Sequence, residues 1–448
     1  MATDERNWSL VVGMSSIHFV QHVFRILPPV LPLLAVAYPY PLWKLGALVS
    51  VYFLGSGAGQ TPVGILADRY DRRFILPPCI GLMGVGYLVF ALAPHVVGGS
   101  VALSLAGAPF THQYLLMGLG VFVAGLGASA IHPVGYPLVA SNVPAASTGR
   151  AYGVWGSAAK FGDAAAPTAV ALLVLVVEWS DVFFLFGLFG LAYAVALFYA
   201  MSRPSVESRP ADQRRSDDPE ATGGSRRESD DDSRSDPRRY RYPMVALFVF
   251  FVARAFSEKG LKTFLPTFLV VVYGYSVSVG GFDLPPESFA NLYFTAVFLV
   301  AAVVQLGTGA LVDRYDHRSV LVSFLVGSAV TMLVLATGTL SPLALLLTLV
   351  VLGATNWGWT PARDSLITDV APPAREGRSF GYLHTVSHLV SAVAPVVIGY
   401  VAGRSSLQRS FVYLAATVFV AVLAVGSLYS RRVYRPTEYD RSLAATDD

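Results

Sequence analysis

The chain has 448 residues, of which 54% are hydrophobic and only 14% charged, and its mean hydropathy is +0.55. A soluble protein of this size carries more surface charge, and a net charge of +3 is too small to suggest a nucleic-acid partner. The single cysteine, Cys79, excludes an internal disulfide and thiolate metal clusters.

In chain order, apolar runs near 8–37, 42–66, 74–94, 114–140, 150–177 and 180–201 predict six membrane spans. The first run is too long for a cleavable signal and follows Asp4, Glu5 and Arg6. Residues 202–240 hold ten acids and nine arginines among Ser, Pro and Gly, too little apolar surface to fold alone. Six more runs follow near 243–273, 288–312, 319–339, 341–369, 378–402 and 409–430. The expectation is an all-α membrane protein of twelve transmembrane helices in two pseudo-symmetric six-helix halves. Its parts are a bundle over 1–201, a disordered polar cytoplasmic linker over 202–241, a bundle over 242–432 and a cytoplasmic tail over 433–448.

Orientation follows from the basic residues. Arg69, Arg72 and Arg73, then Arg150, the linker, Arg314, His317 and Arg318, Arg375 and Arg378, and Arg431, Arg432 and Arg435 all fall on one side. That side is read as cytoplasmic, with both termini inside and Arg404 and Arg409 as exceptions. Arginine outnumbers lysine heavily, a bias that fits a GC-rich prokaryotic genome and a plasma-membrane location.

The chain also repeats itself. Gly64, Asp68, Arg69, Tyr70, Asp71 and Arg73 recur as Gly309, Asp313, Arg314, Tyr315, Asp316 and Arg318, an offset of 245. Gly125, Pro133, Pro144, Gly149, Arg150, Gly153 and Pro167 recur at Gly353, Pro361, Pro372, Gly377, Arg378, Gly381 and Pro395, an offset of 228. The difference of 17 places extra residues in the first half, near Pro94 to His112. Paired halves with a substrate site between them are one common transporter design.

Gly64-x-x-x-Asp68-Arg69-x-Asp71-Arg72-Arg73 resembles the signature loop of the major facilitator superfamily, with Asp71 where a glycine usually stands. The copy at Gly309, Asp313 and Arg314 is degenerate. The resemblance implies the major facilitator fold, and a conformational-switch role for Gly64, Asp68, Arg69, Arg72, Gly309, Asp313 and Arg314. Physically, Gly64 allows close helix contact and Asp68 can accept from a neighbouring helix N-terminus. Gly125 to Pro133 and the His-containing first helix resemble the fosmidomycin-resistance subfamily. Gly153, Gly162 and Pro167 keep the spacing of the antiporter motif of drug exporters, with Ala166 replacing a glycine.

Charge within hydrocarbon is costly and points to function. His18, Gln21, His22 and Arg25 share one face of helix one and are read as a polar stripe on the cavity. Arg254, Glu258 and Lys262 share a face of helix seven beside Lys259; Glu258 pairs with Arg254 or Lys262 on spacing, and the surplus is positive. In the resembled family helices one and seven face each other across the cavity, which would then favour an anion. Lys160 and Asp163 lie a turn apart on helix five and either pair with each other or serve coupling. Lys160 aligns with His388, with His384 a turn earlier, and His132 aligns with Thr360 beside Arg363 and Asp364.

No phosphate-binding loop, nucleophile elbow or metal-ligand cluster stands in the sequence, so neither enzyme activity, cofactor nor metal is expected. The energy source is then an ion gradient, most simply protons. The reading is proton-coupled export of a small anionic or amphipathic compound by a monomer in the lipid bilayer. Import of an organic anion is the alternative, and a non-transporting sensor on the same scaffold is the rival from another class.

Overall fold

The computed structural model describes residues 2–96, 100–105, 107–144, 148–202, 237–279, 282–312, 314–370 and 376–430. Its helices are α1 (Ala2–Val23), α2 (Leu27–Ala37), α3 (Leu42–Arg69), α4 (Leu76–Ala91), α5 (His112–Ala128), α6 (Ile131–Asn142), α7 (Thr148–Leu173) and α8 (Trp179–Met201). Then follow α9 (Pro237–Phe268), α10 (Pro286–Val312), α11 (His317–Ala336), α12 (Pro342–Trp357), α13 (Thr360–Val370), α14 (Glu376–Arg404) and α15 (Leu407–Ser427).

Two short antiparallel hairpins modify the all-α expectation: β1 (Val101–Leu105) with β2 (Ala108–Thr111), and β3 (Val277–Val279) with β4 (Phe282–Leu284). The first hairpin occupies the stretch that the repeat offsets marked as extra. Helix α9 begins at Pro237, inside the stretch predicted as linker. Proline fits a first helical turn, and the Arg and Tyr residues after it are compatible with helix, so the helix extends beyond its apolar part. Residues 203–236 and 431–448 lie outside the described residues.

Among the described residues, nine stretches are both long and apolar enough to cross a membrane, against the twelve expected. Helices α3, α7 and α9 have the length, at 28, 26 and 32 residues, but not the apolarity. Helix α7 carries Lys160 and Asp163, α9 carries Arg254, Glu258, Lys259 and Lys262, and α3 holds the small and polar run Gly55 to Thr61. Polar helices of this kind fit the interior of a bundle rather than lipid.

Three of the predicted spans are broken, and the cause is local. Pro28 and Pro29 start α2, so the first span stops at Val23 and resumes at Leu27. Pro28 has no N–H for the Phe24 carbonyl, and the buried Tyr87 hydroxyl donates to it instead. Pro133 and Pro361 likewise follow the breaks between α5 and α6 and between α12 and α13. These two breaks fall at nearly the same place in the repeat.

The residues divide into two compact units that do not follow the sequence halves. One comprises the described residues within Met1–Thr222, Thr263–Phe298 and Pro395–Gly403; the other comprises those within Gly223–Lys262, Leu299–Ala394 and Arg404–Asp448. In the first unit α4 packs on α5 and α8, α1 on α7, and α3 on α5. The segments contributed by α10 and α14 are fastened there by specific contacts. Ser288 Oγ donates to Ala171 O (2.9 Å), and Asn291 Nδ2 donates to Pro29 O (3.1 Å). A Cβ on Gly399 would sit 2.5 Å from Leu42 O, so glycine is what permits that approach. In the second unit α11 packs on α12 and α15, the same pairing by order as α4 with α5 and α8.

Candidate functional site

The first unit holds a cluster of titratable side chains among α1, α5, α6 and α7. Helix α1 ends at Val23, and this ending changes the predicted stripe. His18, Gln21 and His22 lie on the helix, whereas Arg25 sits in the break beyond it. A cation is favourable there, since a helix C-terminus carries partial negative charge.

Asp163 on α7 is the centre of the cluster. Its side chain is 1% exposed, with His22 Nδ1 at 3.0 Å and Arg25 Nη1 at 3.7 Å from Oδ1. The Lys160–Asp163 pair considered from sequence is therefore superseded: His22 and Arg25 engage the carboxylate, and half-buried Lys160 lies a turn away. Burying a carboxylate costs several kcal/mol unless partners offset it, and here the permanent cation Arg25 does so, with the His22 ring beside it. Gly162 makes the approach possible. A Cβ there would lie 2.4 Å from Phe19 O and 2.7 Å from His22 Cβ.

The cluster extends along aromatic rings. His18 lies with its ring centroid 4.8 Å from that of His22, 4.2 Å from Trp155 and 5.6 Å from His132. His18 Nδ1 is 2.9 Å from Trp155 O, which holds that ring. His132 stacks on Tyr136 at 5.6 Å. The structure thus gathers His18, His22, Arg25, His132 and Asp163, and adds Trp155. That residue bears no charge to single it out in the sequence, yet it touches both His18 and His132. Gln21 has a different task. Its Nε2 donates to Ala128 O (2.8 Å), at the end of α5.

The second unit repeats that device with other chemistry. Arg254 on α9 is buried and donates from Nη2 to Asn356 O (2.9 Å) and from Nη1 to Asn356 Oδ1 (3.2 Å). Offset 228 carries Ala128 onto Asn356, so equivalent carbonyls at two helix breaks are capped by donors from α1 and α9. Of the two partners that spacing offered Glu258, Arg254 is turned elsewhere: its guanidinium lies 4.9 Å from the Trp359 ring, and Ser328 Oγ supports Asn356 Oδ1 at 2.8 Å. Glu258 is 3.7 Å from Lys259, and Lys262 is buried. His388 is half-buried on α14, and the side chain of His384 lies outside the described residues.

The signature loops show what Asp71 does in place of glycine. It accepts from its own Arg73 through Nη2 (2.8 Å) and from the Arg73 backbone N–H (3.0 Å), capping a short turn. Asp316 and Arg318 copy this at the start of α11. Arg72 is buried, and its Nε donates to Ala67 O (3.3 Å). Asp68, Arg69 and Arg314 are exposed. Gly64 would place a Cβ an ordinary 4.0 Å from Pro133 Cβ, so the forced close contacts occur at Gly55 and Gly59 instead. Asp313, and the surroundings of Gly309, lie outside the described residues.

Comparison with known proteins fits this arrangement. The sequence profile described as Major Facilitator Superfamily matches residues 16–285 and again 281–446. The chain is 26% identical over 438 residues to a Cupriavidus necator protein named "Probable sulfoacetate transporter SauU", covering 93% of this chain and 92% of that one. It is 24% identical over 441 residues to a Lactococcus lactis protein named "Multi-drug resistance efflux pump PmrA homolog", covering 96% of each. A shorter match of 28% over 171 residues, to an Escherichia coli protein named "Probable L-galactonate transporter", covers 38% of this chain and 34% of that one. The crystal structure of a bacterial homologue of the human lysosomal transporter Spinster shares the fold, with a TM-score of 0.71 at 14% identity, covering 95% of this chain and 97% of that one. The narrower fosmidomycin-resistance resemblance finds no support among these relatives. The chain is a multi-pass membrane carrier, not an enzyme, and it belongs to the major facilitator superfamily.

Proposed function

We propose that this carrier moves a small organic anion across the cytoplasmic membrane by alternating access, coupled to protons. It does so as a monomer of twelve spans in two pseudo-symmetric halves, with both termini cytoplasmic. The observation that carries the reading is the enclosed Asp163, held by His22 and Arg25 at the broken end of α1. A carboxylate and a histidine in contact supply two titratable groups on which a coupling proton would be carried. The surplus of basic side chains on α9 suits an anionic cargo, and two relatives are named as transporters of organic acids.

Export is the direction favoured by the spacing of Gly153, Gly162 and Pro167 and by the likeness to a protein named as an efflux pump over 96% of the chain. Uptake of an organic anion is the alternative. Reconstitution of the full chain in liposomes with an imposed pH gradient tests both. Labelled sulfoacetate and a pH dye report cargo and protons together. Coupled movement of the two, lost in Asp163→Asn, is expected. Flux of sulfoacetate that ignores the gradient removes proton coupling, and transport of lipophilic cations alone removes the anion.

A further inference from the structure

Next to Arg254, α13 carries a second arginine whose surroundings differ. Arg363 donates from Nε to Asp364 Oδ1 (2.7 Å), and Nη2 lies 2.6 Å from the same oxygen. Its guanidinium carbon is 5.4 Å from the Trp359 ring and 5.7 Å from Phe251. Trp359 therefore carries Arg254 and Arg363 together, and the aromatic contacts restrict the Arg363 fork.

Two features mark the Arg363–Asp364 pair as replaceable. Adjacent residues on a helix do not face each other, so the contact needs both side chains to bend together. The Asp364 side chain is 45% exposed and that of Arg363 18%. Both residues lie within the apolar stretch Pro342–Ile367, where a half-exposed carboxylate is tolerable only against a water-filled path. Arg254, by contrast, is enclosed and held by Asn356. The Arg363 fork is thus partly exposed, and the carboxylate on it is the more exposed of the two partners.

We propose that Arg363 seats the carboxylate or sulfonate of the transported molecule and that Asp364 is its built-in competitor. The proposal rests on the organic-anion reading above. An entering anion takes the guanidinium fork in bidentate fashion and displaces Asp364.

The test is thermal stabilisation of the purified full-length protein by sulfoacetate, D-glucarate and L-galactonate at pH 7.5, since a ligand raises the midpoint by mass action. Asp364→Asn is expected to bind the stabilising anion roughly two- to fivefold more tightly than wild type at pH 7.5, the worth of a loose ion pair. Arg363→Gln is expected to weaken binding by about tenfold or more, and Arg363→Lys by less, because lysine keeps the charge without the fork. Unchanged or weaker binding by Asp364→Asn, or wild-type binding by Arg363→Gln, overturns the seat while leaving the anion reading intact. If Arg363→Gln does not fold, Asp364→Asn decides alone. No stabilisation of the wild type by any of the three anions overturns the anion reading and the seat with it.

Discussion

Replacing Asp163 with asparagine keeps the volume and removes the charge at the centre of the α1–α7 cluster. Arg25 Nη1 lies 3.7 Å from Oδ1, and at an effective dielectric near 20 that separation corresponds to about 4.5 kcal/mol of attraction. Desolvation of the two groups cancels much of this, so the pair itself adds little net stability. Removing one partner is different, because it strands the other charge, at roughly 3–5 kcal/mol. The Arg25 side chain keeps 20% exposure, so some hydration persists and the cost falls near the low end, about 3 kcal/mol. The expected variant folds with a lowered thermal midpoint. Arg25→Gln combined with Asp163→Asn regains most of the loss, since neither charge is then stranded. In liposomes, Asp163→Asn should fail to accumulate substrate against a gradient while still exchanging labelled for unlabelled substrate. Accumulation at the wild-type level would refute the placement of the coupling proton on this cluster.

Four further changes probe the supporting structure. Gly162→Ala forces α1 from α7, because the new Cβ meets the Phe19 carbonyl at 2.4 Å; the thermal midpoint should fall by the equivalent of about 1–3 kcal/mol, and proton-driven accumulation should drop although every titratable group remains. Tyr87→Phe leaves the Phe24 carbonyl without its donor and should cost about 1–3 kcal/mol in denaturation of the purified protein. Burial tends to raise the Asp316 carboxyl, but the Arg318 hydrogen bonds and charge, with two backbone N–H donors, outweigh it and hold the group below the usual carboxylate range. Its stabilisation is thus present above about pH 4 and disappears as the pH falls through the lowered value, so Asp316→Asn should cost about 1 kcal/mol at pH 7 as a lost cap and nothing measurable in strong acid. Asp68→Asn, at an exposed carboxylate, should slow turnover and leave the substrate dissociation constant unchanged in paired flux and binding measurements.

Periodicity and charge made most of the fold legible. The apolar runs mark helices because hydrocarbon requires them, and the paired motifs mark the duplication. The breaks were harder. Pro28, Pro29, Pro133 and Pro361 were all visible, but prolines also occur inside unbroken helices, as Pro62 does in α3 and Pro167 in α7. Whether a span breaks depends on whether a neighbour satisfies the freed carbonyl, and Tyr87 does so for Phe24 from a distant segment. The same limit governed the site. Spacing put Asp163 near Lys160 on its own helix, whereas the partners it takes, His22 and Arg25, come from α1 across the Gly162 contact. Spacing likewise offered Glu258 to Arg254, and tertiary structure gave it Asn356 and Trp359. Local periodicity reports which residues share a face, not what that face meets.

The two capped helix breaks show how one inherited backbone device can hold unlike chemistry. Ala128 and Asn356 are equivalent in the repeat, and each offers a carbonyl at the end of a broken helix to a side chain from another helix. In the first unit the donor is the neutral Gln21, and the groups near it are His18, His22, Asp163 and Arg25. In the second the donor is Arg254, and the groups near it are Arg363 and Trp359. Histidine and carboxylate groups can change charge, while arginine keeps its charge throughout. Under the proposed proton-coupled transport of an anion, the first cluster would supply the titratable groups and the second the fixed positive charge. A duplication that kept the break and varied the donor is enough to produce both.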